Sequence, residues 1–127
     1  MIRIAKETDV YLAMEEAEKI AVSIGFDKSM ALKIKTAVSE LARNILKYAT
    51  RGRVEISPVK EKKLGIEIIV TDFGPGIKDI NKALEENFSS GGTLGLGLPG
   101  VRRLMDKFDI KSAHNKGTTI TITKWLA

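Results

Sequence analysis

The apolar positions of this chain change period several times, and each change marks an element. A short run, Ile2-Arg3-Ile4-Ala5, predicts a strand. From there Val10, Met14, Ala17, Ile20, Ala21 and Ile24 recur at helical spacing, with Thr8 or Asp9 available as N-cap and Gly25 as the stop. Asp27 heads a second, longer amphipathic helix through Met30, Ile34, Ala37, Val38, Leu41, Ile45 and Tyr48, closed by Thr50-Arg51-Gly52. The spacing then drops to two. Residues 53–59 and 64–71 predict strands joined by the turn Lys60-Glu61-Lys62-Lys63, with Pro58 near a strand end where proline is tolerated. Asp72-Phe73-Gly74-Pro75-Gly76-Ile77 breaks the second strand. Residues 78–97 are polar and glycine-rich, with room for at most a short helix around 80–84. A helix over 99–107 follows, then strands over 108–113 and 118–125 flanking the turn His114-Asn115-Lys116-Gly117.

The order is strand, two helices, two strands, loop, helix, two strands, without repeat or linker. It predicts one domain over residues 1–127: an α+β two-layer sandwich of one mixed, largely antiparallel sheet with helices on one face. The regular strand–helix alternation of a doubly wound fold is missing, so Gly95-Leu96-Gly97-Leu98-Pro99-Gly100, although it reads G-x-G-x-x-G, is not a Rossmann fingerprint.

Composition narrows the function classes. At 127 residues, 43% hydrophobic and 29% charged, the chain reads as an ordinary globular domain. With no cysteine there is neither disulfide nor thiolate metal site, and the lone His114 cannot build one. The net charge of +5 comes from basic residues scattered among acidic ones, without interleaved aromatic residues, which argues against nucleic acid and suits a phosphate-bearing ligand or an acidic partner. A charged N-terminus and the lack of any run of about 18 apolar residues predict a cytoplasmic protein outside the membrane.

Candidate chemistry gathers in three stretches. Seven of the eleven glycines lie between Gly74 and Gly100, and the last of them run into a helix that starts near Pro99. Glycine lets backbone N–H groups approach an anion, and a helix N-terminus attracts one, so this is a phosphate-site candidate as well as a simple flexible connection. On the second helix Glu40 and Asn44 stand at i and i+4, with Lys47 on the same side. Carboxylate, amide and ammonium there suit a general base, a Mg²⁺ ligand and a phosphate contact; a solvated polar stripe is the plain alternative. Asp72 ends the apolar strand Gly65-Ile66-Glu67-Ile68-Ile69-Val70-Thr71, where it could cap the next turn or accept a hydrogen bond from an exocyclic amine such as that of adenine.

Together Glu40-Leu41-Ala42-Arg43-Asn44, Asp72-Phe73-Gly74-Pro75-Gly76-Ile77 and Gly95-Leu96-Gly97-Leu98-Pro99-Gly100 resemble the N, G1 and G2 boxes of the GHKL (Bergerat-fold) ATPases, and Gly117-Thr118-Thr119 resembles that fold's closing strand. The stretches 37–45 and 97–108 and the C-terminal Lys124-Trp125-Leu126-Ala127 are similar to the anti-sigma-factor serine kinase group, above all to the serine/threonine kinases of the stressosome.

The resemblance implies ATP and Mg²⁺. Glu40 would be the base and Asn44 the Mg²⁺ ligand. Asp72 would bind the adenine amine, with Gly74 and Gly76 shaping its turn and Thr118 backing the pocket. Gly95, Gly97 and Gly100 would cradle phosphates, Lys47 would touch them, and residues 77–94 would form the ATP lid. That lid offers Ser89, Ser90 and Thr93 but no cation, so a γ-phosphate contact would fall to Arg43, Lys47 or Arg102. The implied activity is phosphoryl transfer to serine or threonine of STAS-domain partners (RsbS- and RsbR-like), which frees the kinase to activate a PP2C-type phosphatase (RsbU-like). Alternatives are an anti-sigma factor that binds sigma directly, a nucleotide-gated binding module without transferase activity, and a histidine-kinase catalytic domain, which would need a phospho-accepting histidine that His114 does not supply. The Asp-Phe-Gly of residues 72–74 also occurs in eukaryotic-type kinases, but without a His-Arg-Asp loop the coincidence carries nothing.

Overall fold

The computed structural model describes residues 1–76 and 97–126. Its elements are β1 (Ile2–Ile4), α1 (Glu7–Ile24), α2 (Lys28–Tyr48), β2 (Gly52–Lys60), β3 (Leu64–Asp72), α3 (Gly97–Leu104), β4 (Lys107–Ala113) and β5 (Gly117–Trp125). The short-helix expectation over 80–84 and the 77–94 lid lie outside the described residues. Among the described residues no helix is long and apolar enough to cross a membrane.

The five strands lie in the order β1-β2-β3-β5-β4, and every neighbouring pair is antiparallel. Period-2 patterning decides which sheet face the helices cover. Ile4, Val54, Ile66, Ile68, Val70, Ile120 and Ile122 are buried on one face, against Val10, Ala13, Ala17 and Ala21 of α1 and Ile34, Val38, Leu41 and Ile45 of α2. The alanine stripe of α1 lets its backbone pack close to α2. The opposite sheet face carries Arg53, Glu55, Glu67, Asp109 and Lys111, each exposed or half-buried. The layering is therefore the two-layer α+β sandwich read from the sequence, with the sheet wholly antiparallel rather than mixed.

Three helix boundaries differ from the sequence reading, the start of α3 at Gly97 rather than at 99 among them. Helix α1 starts at Glu7 with Lys6 as N-cap, earlier than a Thr8 or Asp9 cap would place it. Asp9 instead sits one turn in, and its carboxylate accepts the Ala5 and Lys6 N–H groups at 2.9 and 3.1 Å. Helix α3 ends at Leu104, short of residue 107. Asp106 is drawn to the sheet: its N–H donates to the Thr123 carbonyl at 2.9 Å, and its carboxylate accepts the Trp125 N–H at 2.7 Å. Tertiary bonding overrides a helical pattern that continues locally.

Candidate functional site

The site sits where the C-terminal half of α2 passes the ends of β3 and β5. Helix α2 begins cleanly because Asp27 accepts the Met30 N–H at 2.8 Å. Its apolar stripe then fixes the rotation of the helix and turns Glu40 inward. Glu40 is 5% exposed, and its Oε2 is buried without a hydrogen-bond partner among the described residues. The solvated-stripe alternative is thereby excluded at this residue. An unpaired buried carboxylate oxygen is destabilising, and such atoms concentrate where a group is kept for chemistry. One turn later Asn44 is half-buried, while Lys47 is exposed with its ammonium 5.3 Å from the Tyr48 ring centroid.

Arg43, a candidate for phosphate contact, faces elsewhere. Its guanidinium pairs with Glu7 of α1 at 3.1 Å, donates to the Ser39 hydroxyl and lies 5.8 Å from the Tyr11 ring centroid. Arg102 is exposed on α3.

Asp72 is held quite differently. Its Oδ1 accepts the Gly74 N–H at 3.0 Å and the Thr118 N–H at 3.1 Å, bonds that cap the turn after β3 and tie β3 to β5. Among the described residues its Oδ2 receives no hydrogen bond, so this oxygen remains available to a ligand amine while Oδ1 fixes the side chain. Turn-capping, one of the two alternatives in the sequence, occupies Oδ1 and so does not exclude the other, an amine on Oδ2.

The backbone is crowded around Asp72. Gly117 has φ +83°, and a Cβ there would stand 2.1 Å from the Asp72 carbonyl oxygen; Gly76, at φ +85°, would clash with the Ala113 carbonyl at 2.4 Å. Neither position admits a side chain without moving main chain. A Cβ on Gly74 would meet the Ala49 Cβ at 2.6 Å, which places the end of α2 against the turn after Asp72. At about 1.5 Å per residue, Asn44 and Glu40 lie roughly 7 and 13 Å up the helix from that contact. Asp72, Asn44 and Glu40 thus follow one another along the direction of α2.

Gly97 opens α3 at φ +62° and Gly100 is buried within it. Gly95 lies outside the described residues. Thr118 is 5% exposed, and its hydroxyl meets that of Ser112 on β4 at 2.9 Å. Nothing in the sequence singles out Ser112, since a small polar residue in an alternating strand is unremarked; only strand pairing brings it to the site.

Among the described residues no group of three or more His, Cys, Asp or Glu is placed to hold a metal. Mg²⁺ bound with a nucleotide takes most of its ligands from phosphate oxygens and water and only one or two from the protein, and the half-buried Asn44 amide oxygen would fit that part.

Comparison with known proteins identifies the family and the fold. Residues 4–124 match the histidine kinase-like ATPase domain. The chain is 46% identical over 126 residues, 98% of this chain and 95% of the relative, to the serine/threonine-protein kinase RsbT of Bacillus subtilis (strain 168). It is 32% identical to the anti-sigma F factor of Caldanaerobacter subterraneus subsp. tengcongensis, over 73% of this chain and 68% of that one. Among solved structures, the mycobacterial sensor histidine kinase MprB superposes with TM-score 0.56 at 20% identity, covering 91% and 95% of the two chains. Full-length ShkA in complex with AMPPNP gives TM-score 0.60 at 18% identity, covering 91% of this chain and 28% of that one.

Proposed function

Because the chain belongs to the histidine kinase-like ATPase domain family, we propose that it is a cytoplasmic serine/threonine protein kinase, which transfers the γ-phosphoryl group of ATP to a partner protein in a partner-switching pathway. The observation that carries the reading is the buried, unpartnered Glu40 Oε2, roughly 13 Å along α2 from the Asp72 turn. On this reading one carboxylate receives a proton, and a second, distant one holds the base.

Asp72 Oδ2 accepts the adenine amine, while Gly74, Gly76 and Gly117 keep the surrounding backbone close enough to enclose the ring. Gly97 and Gly100 deliver the start of α3, and with Gly95 they offer backbone N–H groups to the phosphates. Asn44 would hold Mg²⁺, which when bound offsets phosphate charge. The acceptor serine or threonine oxygen forms a bond to the γ-phosphorus as the bond from that phosphorus to the β,γ-bridging oxygen breaks; Glu40 takes the hydroxyl proton and ADP leaves. Transfer of this kind depends mainly on positioning and charge stabilisation, which suits a rigid sheet end facing a helix.

The partner is a STAS-domain protein of the RsbS or RsbR kind, and the released kinase activates a PP2C-type phosphatase of the RsbU kind. This rests on the near full-length similarity to RsbT. Incubation with γ-labelled ATP and STAS-domain proteins from the same genome is expected to label a serine or threonine on one of them. Bound ATP with no transfer to any would favour a nucleotide-gated binding module instead. The similarity to an anti-sigma F factor supports a second reading, direct capture of a sigma subunit. Pull-downs with sigma and with STAS proteins separate the two.

A further inference from the structure

Ser112 stands opposite Thr118 in the β4–β5 register, and Thr118 lies one step beyond the Thr71–Thr119 pair, opposite Asp72. The three side chains therefore form a row across the helix-covered face at the end of the sheet. Proton counting along this row has a consequence for the ligand. The Gly117 carbonyl can only accept, so the Ser112 hydroxyl, 3.2 Å away, donates to it. A serine hydroxyl has one proton. The 2.9 Å contact between Ser112 Oγ and Thr118 Oγ1 is then completed by the proton of Thr118. With its proton turned back towards β4, Thr118 Oγ1 has lone pairs alone to present, as has Asp72 Oδ2.

We propose that Ser112 is a positioning residue for base selection: by holding the Thr118 proton, it leaves two acceptors facing position 6 of the purine. That edge accepts the exocyclic amine of adenine and repels the carbonyl that hypoxanthine and guanine carry there. The inference rests on the reading that the Asp72 end of the site holds the base. Ser112 touches the ligand in neither case; it acts through Thr118.

Removing the serine hydroxyl frees Thr118 to rotate and donate to a carbonyl. Calorimetric titration of ATP and ITP into the wild type, Ser112→Ala and Ser112→Thr tests this, with thermal unfolding confirming that each is folded. Wild type is expected to prefer ATP. Ser112→Ala should narrow the ATP-to-ITP affinity ratio by about tenfold, the scale of one hydrogen bond, chiefly by gaining ITP affinity, and Ser112→Thr should restore it. A merely structural role would weaken both nucleotides alike and leave the ratio unchanged. A folded Ser112→Ala with the wild-type ratio overturns the assignment of Ser112 alone. Wild type that binds neither nucleotide overturns the base-site reading as well.

Discussion

Two carboxylates line the site, and their surroundings are opposite. Asp72 sits at the mouth of a sheet, half-buried, with one oxygen fixed by two backbone N–H groups from separate elements. Glu40 sits on a helix, nearly fully buried, with one oxygen given nothing. A carboxylate fixed by main-chain donors keeps one geometry, which is what recognition requires. A buried carboxylate oxygen without a hydrogen-bond partner is costly to keep, so its retention points to a use beyond packing. The proposed roles, ruler for Asp72 and reagent for Glu40, follow this difference in what surrounds the same functional group.

Substitutions at the two residues should therefore fail in different ways. The largest effect is expected for Glu40→Ala: phosphoryl transfer should fall by about 10²–10⁴-fold while ATP affinity stays close to wild type. Single-turnover assays beside calorimetry read both numbers, and a transfer rate equal to wild type would remove Glu40 from the role of base. Next comes Asp72→Asn. The amide oxygen must stay on the Gly74 and Thr118 N–H groups, so the amide nitrogen would face the adenine amine, donor against donor. ATP affinity should drop by about 10²-fold, the scale of a hydrogen bond to a charged group with its partner left unsatisfied.

A third substitution sharpens the comparison from the backbone side. Gly117→Ala should destabilise the fold by about 2 kcal/mol and weaken ATP together with it, because the added Cβ meets the Asp72 main chain. Denaturant unfolding and calorimetry on one sample check that the two losses travel together.

The smallest effect lies outside the site. Lys35 donates to Glu15 and Glu18 at 3.1 Å, and these hydrogen bonds raise its pKa above the ordinary lysine value. A raised lysine pKa adds stability below the unfolded-state value of 10.5, and that contribution disappears as pH climbs through the folded-state value. Lys35→Met should lower the melting midpoint only slightly, with the difference vanishing at high salt or strongly alkaline pH. A salt-independent loss would show that the lysine stem, not its charge, supplies the stability.

Legibility followed the range of the interactions. The two long helices and both hairpins were readable because apolar period is a local signal, and Gly25 and Asp27 mark their ends in the expected places. Boundaries moved where a side chain answers to something distant in sequence: Asp106 leaves a helical pattern to cap β5, and Asp9 reaches backward from inside α1. Glu40, Asn44 and Asp72 could be found as residue types at telling positions, yet not their contrast, since burial of one and main-chain fixation of the other depend on packing. Arg43 illustrates the reverse. In sequence it stood level with Lys47 and Arg102 as a phosphate contact, and only the approach of α1 reveals Glu7 as its partner. Ser112 was invisible for the same reason, because the pairing of β4 with β5 is what joins it to Thr118.

The division between ruler and reagent is tested most directly by titrating Mg·ATP into folded wild type, Glu40→Ala and Asp72→Asn side by side in a calorimeter. Saturable heat of similar affinity for the first two, with strong weakening in the third, is the expected result. No heat from the wild type at millimolar nucleotide, or a Glu40→Ala protein that loses ATP as Asp72→Asn does, would contradict it.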